Sequence, residues 1–95
     1  MEIKVNAVGF KADTKLVDFA TAKVSKLTQF IDNIVTSEVY FKVDNSQSIE
    51  NKIAEVKILI PGSELFAKKE SKSFEESIDL AIDAIKKQIE KAKNK

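Results

Sequence analysis

The stretch Ser73 to Lys95 leaves the fewest folding options open. Ser73 followed by Glu76 is an S-x-x-E capping box, in which a hydroxyl and a carboxylate each satisfy an amide left unpaired at a helix start. A helix therefore begins there. Turned at helical pitch, Phe74, Ile78, Ala81, Ile82, Ile85, Ile89 and Ala92 form one apolar band, so the helix lies on a core. Its charge is divided: residues 74 to 83 carry Glu75, Glu76, Asp79 and Asp83 and no base, whereas residues 84 to 95 carry five lysines against Glu90. That order suits the helix dipole, at about 0.3–1 kcal/mol per well-placed charge. The lysines nevertheless exceed what the dipole asks for, and a helix of about 30 Å carries them to the edge of a small domain.

The rest of the chain supplies what this helix covers. Ile3, Val5 and Ala7 alternate along residues 2 to 8 as on a half-buried strand. Asp13 or Thr14 caps a first helix of four or five turns, whose stripe is Leu16, Phe19, Ala20, Val24, Leu27, Phe30 and Ile31 and which fades at Asp32-Asn33. Val39, Phe41 and Val43 alternate with Tyr40 and Lys42, and beyond the turn formers Asp44-Asn45-Ser46-Gln47-Ser48 the residues Ala54, Val56, Ile58 and Ile60 alternate with Glu55, Lys57 and Leu59. Pro61-Gly62 turns the chain into a short last strand, Glu64 to Lys68. Only one face of each strand is apolar. The expectation is an α+β fold: a two-layer β-α-β-β-β-α sandwich with a four-stranded sheet and both helices on one face. A crossover through the first helix sets strand one parallel to a neighbour, and the other three strands form an antiparallel meander.

Residue usage narrows function. The chain of 95 residues reads as one domain, 1–95, with no repeat or linker. It has neither cysteine nor histidine, which removes disulfides, thiolate nucleophiles, the usual general base and the commonest zinc ligands. Asp79 and Asp83 stand one helical turn apart, but no acid sits in a recognisable motif, so no catalytic residue, metal or cofactor is assigned. Gly9 and Gly62 are isolated and form no phosphate-cradling loop. Neither a signal sequence nor a run of 18 apolar residues is present, which points to a soluble, cytoplasmic protein without membrane or small-molecule partner.

Net charge is only +1, and all 16 basic residues are lysines. A nucleic-acid role must therefore rest on clustering, through point-charge attraction to phosphate rather than bidentate base reading. Lys15, Lys23 and Lys26 lie along one flank of the first helix, with Lys23 turned almost into the apolar stripe beside Phe19. Snorkelling of its stem along the core is one complete explanation. The other is that this row and the lysines of the last helix form two edges of one basic groove. There Lys87 and Lys91 point away from the buried stripe, while Lys86 and Lys93 follow its flank. Lys68, Lys69 and Lys72, placed in the connection before the last helix, would add a third edge.

Several stretches resemble the short form of the ribosome hibernation-promoting factor family, which includes the ribosome-associated inhibitor. They are Leu16 to Leu27 with its ending Ala22-Lys23-Val24-Ser25-Lys26-Leu27, Phe30-Ile31-Asp32, Val39-Tyr40-Phe41-Lys42-Val43, Pro61-Gly62, and Ile78 to Asp83 followed by Lys87-Gln88-Ile89. The resemblance implies a fold related to double-stranded RNA-binding domains. It also implies a factor that binds the small ribosomal subunit near the decoding region, blocks mRNA and tRNA binding, and is monomeric off the ribosome. By position it implies ribosomal RNA contacts at Lys23, Lys26, Lys86, Lys87, Lys91 and Lys93. With no dimerising carboxy-terminal extension after Lys95, the long form's role in pairing ribosomes is not expected.

A second reading stays open beside it. Tyr40, Leu59 and Phe66 share the sheet face expected to be exposed, and a protein-interaction module would use that face and keep its lysines as solubilising charge.

Overall fold

Four strands and two helices build the fold. The computed structural model describes residues 2–46 and 49–93; Gln47 and Ser48 of the turn cluster, and the side chains of residues 92 and 93, lie outside that description. The elements run β1 (Glu2–Ala7), α1 (Thr14–Ser25) with a 3-10 turn (Lys26–Gln29), β2 (Thr36–Val43), β3 (Lys52–Ile60), β4 (Ser63–Ser71) and α2 (Phe74–Lys93). The four strands stand in sheet order β1-β2-β3-β4. β1 is parallel to β2, with Val5 opposite Val39 and Ala7 opposite Phe41, and the other pairs are antiparallel. A parallel neighbour cannot be reached by a tight turn, so the chain crosses over through α1.

The alternation expected along each strand places one apolar set inward. Val39, Phe41, Ala54, Val56, Ile58 and Ala67 meet Leu16, Ala20, Val24 and Leu27 from the first helical segment and Ile78, Ala81, Ile82, Ile85 and Ile89 from α2. Each fully buried side chain of this size contributes about 1.5–3 kcal/mol. Phe74 fixes where α2 enters: its ring stacks on Phe10 at 5.0 Å and meets the edge of Phe41 at 5.2 Å. α2 lies over β3 and β4, and α1 lies over β1 and against α2.

Local signals set the boundaries. The Asp13 carboxylate accepts from the amide of Leu16 at 2.8 Å, and the Ser73 hydroxyl accepts from that of Glu76 at 3.1 Å, so both helices start where their caps stand. Ile60 pairs with Ser63 across Pro61-Gly62, and Gly62 takes φ 77°, the left-handed value that the third position of a type II turn requires. Beneath the start of α2 the hydroxyl of buried Ser77 donates to the carbonyl of Lys52, and Ser71 Oγ lies 2.8 Å from Ser77 Oγ and 2.9 Å from the carbonyl of Ser73. These contacts tie the last helix to β3 and the end of β4.

Three features differ from the sequence expectation. The first helix tightens to a 3-10 turn after Ser25, where Thr28 Oγ1 donates to the Ser25 carbonyl and the amide of Phe30 donates to that of Leu27. Serine and threonine at the helix end offer the backbone such alternatives. β4 runs on to Ser71, so Lys68 and Lys69 are strand residues opposite Glu55 and Ala54, and of the three lysines placed in the connection only Lys72 is there. An edge strand tolerates this charged run because water reaches it. Ile53, finally, is buried on the outer face, apart from the core cluster and opposite Lys42 and Glu70.

Candidate nucleic-acid interface

The candidate lysines fall into three environments, set by how the two helices pack. Lys23 lies on α1 where it faces α2. Its ammonium is 2.8 Å from Asp79 Oδ1 and 5.3 Å from the centre of the Phe19 ring, and its side chain is 30% exposed. The stem follows the core as snorkelling requires, but the charge ends on a carboxylate of the other helix. Lys86 lies farther along the same seam, half-buried, with its ammonium 5.1 Å above the Phe30 ring. A cation over an aromatic face is held at about 0.5–1 kcal/mol at a partly exposed site and keeps its charge available.

Lys26, Lys87 and Lys91 form the third group. All three are exposed, and among the described residues none has an acid at ion-pairing distance. Lys26 opens the 3-10 turn at the end of α1. One residue further around α2 is about 100°, so Lys87 and Lys91 turn away from the seam that Lys86 faces. With Gln88 and Glu90 they line an open depression of about 580 Å³. Gln88 Nε2 donates at 2.8 Å to the carbonyl of Phe66, which straps this half of α2 to edge strand β4. The side chain of Lys93 lies outside the described residues.

Comparison with known proteins shows the family and the fold. The profile of the family described as Sigma 54 modulation protein / S30EA ribosomal protein matches residues 3–95. The chain belongs to that family. It is 30% identical over 95 residues to the ribosome hibernation promoting factor of Klebsiella oxytoca, covering 100% of this chain and 96% of that protein. The fold is that of the ribosomal subunit interface protein from Coxiella burnetii, with a TM-score of 0.88 at 23% identity and full coverage of both chains. The N-terminal domain of Thermus thermophilus Protein Y superposes with a TM-score of 0.81 at 20% identity, over 96% of this chain and 98% of that one.

In this S30EA-family chain the opposite face of the sheet treats its lysines differently. Lys42 donates to Glu55 at 3.0 Å across β2 and β3, Lys57 stands 3.9 Å from Glu64 across β3 and β4, and Lys4 stands 3.4 Å from Glu2. The Tyr40 hydroxyl donates to Glu38 at 2.6 Å, a bond that raises its pKa. Leu59 and Phe66 are diagonal neighbours, 40% and 47% exposed, but Lys57 separates them from Tyr40, so the three residues do not make one patch. At the hairpin end, Ser46 donates its hydroxyl and amide to Asp44 and lowers that carboxyl's pKa, while desolvation and then the neighbouring Asp44 raise that of Glu70.

Asp79, Phe30 and Gln88 are the parts of the interface that sequence reasoning did not assign. Asp79 reads as an ordinary acid of a helix start, and Phe30 as the end of an apolar stripe. Their partners become visible only once the two helices are side by side. No group of three or more metal-ligating side chains occurs among the described residues, and no helix there is long and apolar enough to cross a membrane.

Proposed function

We propose that this chain is a ribosome hibernation factor, a single ribosome-binding domain acting in the cytoplasm. It binds the small ribosomal subunit near the decoding region, contacts ribosomal RNA through the basic end of its helical layer, and blocks mRNA and tRNA there. Family membership supports the class of function, and the name of the Klebsiella oxytoca relative supports the ribosome as partner.

The observation that carries the reading is the division of the lysines. Lys26, Lys87 and Lys91 stand exposed and unpaired, with Lys86 available over its ring, whereas the middle of the sheet face pairs Lys42 with Glu55 and Lys57 with Glu64 and leaves only the edge-strand Lys68 there without an acid at ion-pairing distance among the described residues. Unpaired ammonium groups can replace counter-ions on phosphate; paired ones must first give up an acid. Lysine-only chemistry makes the recognition one of backbone and shape.

Co-sedimentation with purified small subunits at rising salt tests it. Log affinity should fall linearly with log salt, by about 0.7–0.9 per phosphate contacted. A chain that stays in the supernatant at low salt, or whose binding survives digestion of the RNA, is not this factor.

A further inference from the structure

Resting on that reading, we infer that Asp79 is an internal counter-anion that masks Lys23, so that Lys23 adds little to RNA affinity until Asp79 is neutralised. Position alone puts Lys23 among the RNA contacts. Its surroundings argue otherwise. The ammonium sits 2.8 Å from Asp79 Oδ1 in a pair that bridges the two helices, and the stem is held from below by the Phe19 ring. Lys23 is half-buried, whereas Lys26, one turn on, is exposed and unpaired.

Two physical terms act in the same direction. A phosphate approaching Lys23 also approaches Asp79, whose side chain is 47% exposed, and the carboxylate repels it over the same few ångströms. To accept that phosphate, Lys23 must leave an oxygen it already holds, so the exchange replaces one ion pair by another and releases little net free energy. An unpaired lysine such as Lys87 has Glu90 in the same depression but no ion pair to give up, so it escapes the second obstacle. Lys86 likewise has no ion pair to give up, since its partner is a ring and an aromatic face leaves the cation's charge uncancelled. The seam between the helices thus carries one masked and one open cation, and the basic surface proper begins at Lys26 and Lys86.

The experiment is small-subunit co-sedimentation across a salt series for the full chain, four single substitutions (Asp79→Asn, Lys23→Ala, Glu75→Gln and Lys87→Ala) and one double, each first checked by thermal melting. Asp79→Asn, which keeps the side chain's shape, should tighten binding by about 1.5- to fivefold, the range of an exposed pair. It should also steepen the salt slope by about 0.7–0.9, one further phosphate neutralised. Lys23→Ala should change wild-type affinity less than twofold and should cancel the gain when combined with Asp79→Asn. Glu75→Gln makes the same change in net charge on the same helix and should give neither the gain nor the slope change.

The inference is overturned if Lys23→Ala alone weakens binding as much as Lys87→Ala does. It is equally overturned if Asp79→Asn leaves affinity and slope unchanged, or if Glu75→Gln matches it, because the gain then comes from overall charge. Should Asp79→Asn prove unfolded, Asp79→Ala gives the same readings. Failure of the underlying function is seen separately and earlier: wild-type protein then does not sediment with the subunit at any salt, and the masking of Lys23 falls with it.

Discussion

The outer face of the sheet and the far end of the helical layer carry the same residue, lysine, and use it in opposite ways. On the sheet, strand register sets Lys42 beside Glu55 and Lys57 within reach of Glu64, and only Lys68 on the edge strand stands on that face without an ion pair among the described residues. On the helices, Lys26, Lys87 and Lys91 have no such neighbour among the described residues. Cross-strand neighbours bring these two pairs together, whereas on α2 Asp83 and Glu90 stand four and three residues from Lys87 without coming to ion-pairing distance. Glu90 lies four residues after Lys86, yet Lys86 goes to Phe30 instead. What a lysine can do for binding is therefore decided by its register and neighbours, and a net charge of +1 conceals the difference.

That contrast can be broken from the inside out. Phe41→Ala removes a fully buried ring beneath both layers and should lower stability by about 3–5 kcal/mol in chemical denaturation, taking both faces with it. Reversing Lys87 and Lys91 to glutamate leaves the fold intact and should weaken small-subunit binding on the order of a hundredfold, with a flatter salt slope. Retained binding would assign the interface to another surface. Lys42→Met should leave subunit binding unchanged and cost at most about 1 kcal/mol in a thermal melt, as the loss of a partly exposed pair does.

The smallest effect is a pH dependence at the hairpin end. Local desolvation and Asp44 raise the pKa of Glu70 above the ordinary 4.5, so the folded chain holds that proton more tightly than the unfolded one. The stability it contributes is complete below pH 4.5 and is lost as pH rises through the raised value. Glu70→Gln should flatten this part of the stability–pH curve and leave RNA binding alone. Asp44 acts with the opposite sign, since its lowered pKa gives stability that is lost only at more acid pH.

Much of the fold was legible because its signals are local. Strand alternation, the Asp13 and Ser73 caps and the Pro61-Gly62 turn are each contained within a few residues, and each appears where the pattern put it. The extent of β4 was not legible, because Lys68-Lys69-Glu70 reads as a connection unless one knows that the strand lies at an edge. The burial of Ile53 on the outer face escapes for a similar reason: its cross-strand neighbours, Lys42 and Glu70, lie far from it in sequence. The candidate lysines were legible as a set but not by state. Whether Lys23 ends in water, on Asp79 or over Phe19 depends on the crossing of two helices far apart in sequence.

The division of charge along α2 has a consequence for motion rather than for contact. Glu75, Glu76, Asp79 and Asp83 occupy one end of a helix of about 30 Å and Lys86, Lys87 and Lys91 the other, in a molecule 41 Å long. Near a polyanion such a body feels a torque before it feels much net pull. It turns basic end first during diffusional approach, so productive collisions become a larger share of all collisions. Salt would erode that alignment over about a Debye length, so the association rate should respond to ionic strength more than a charge of +1 implies.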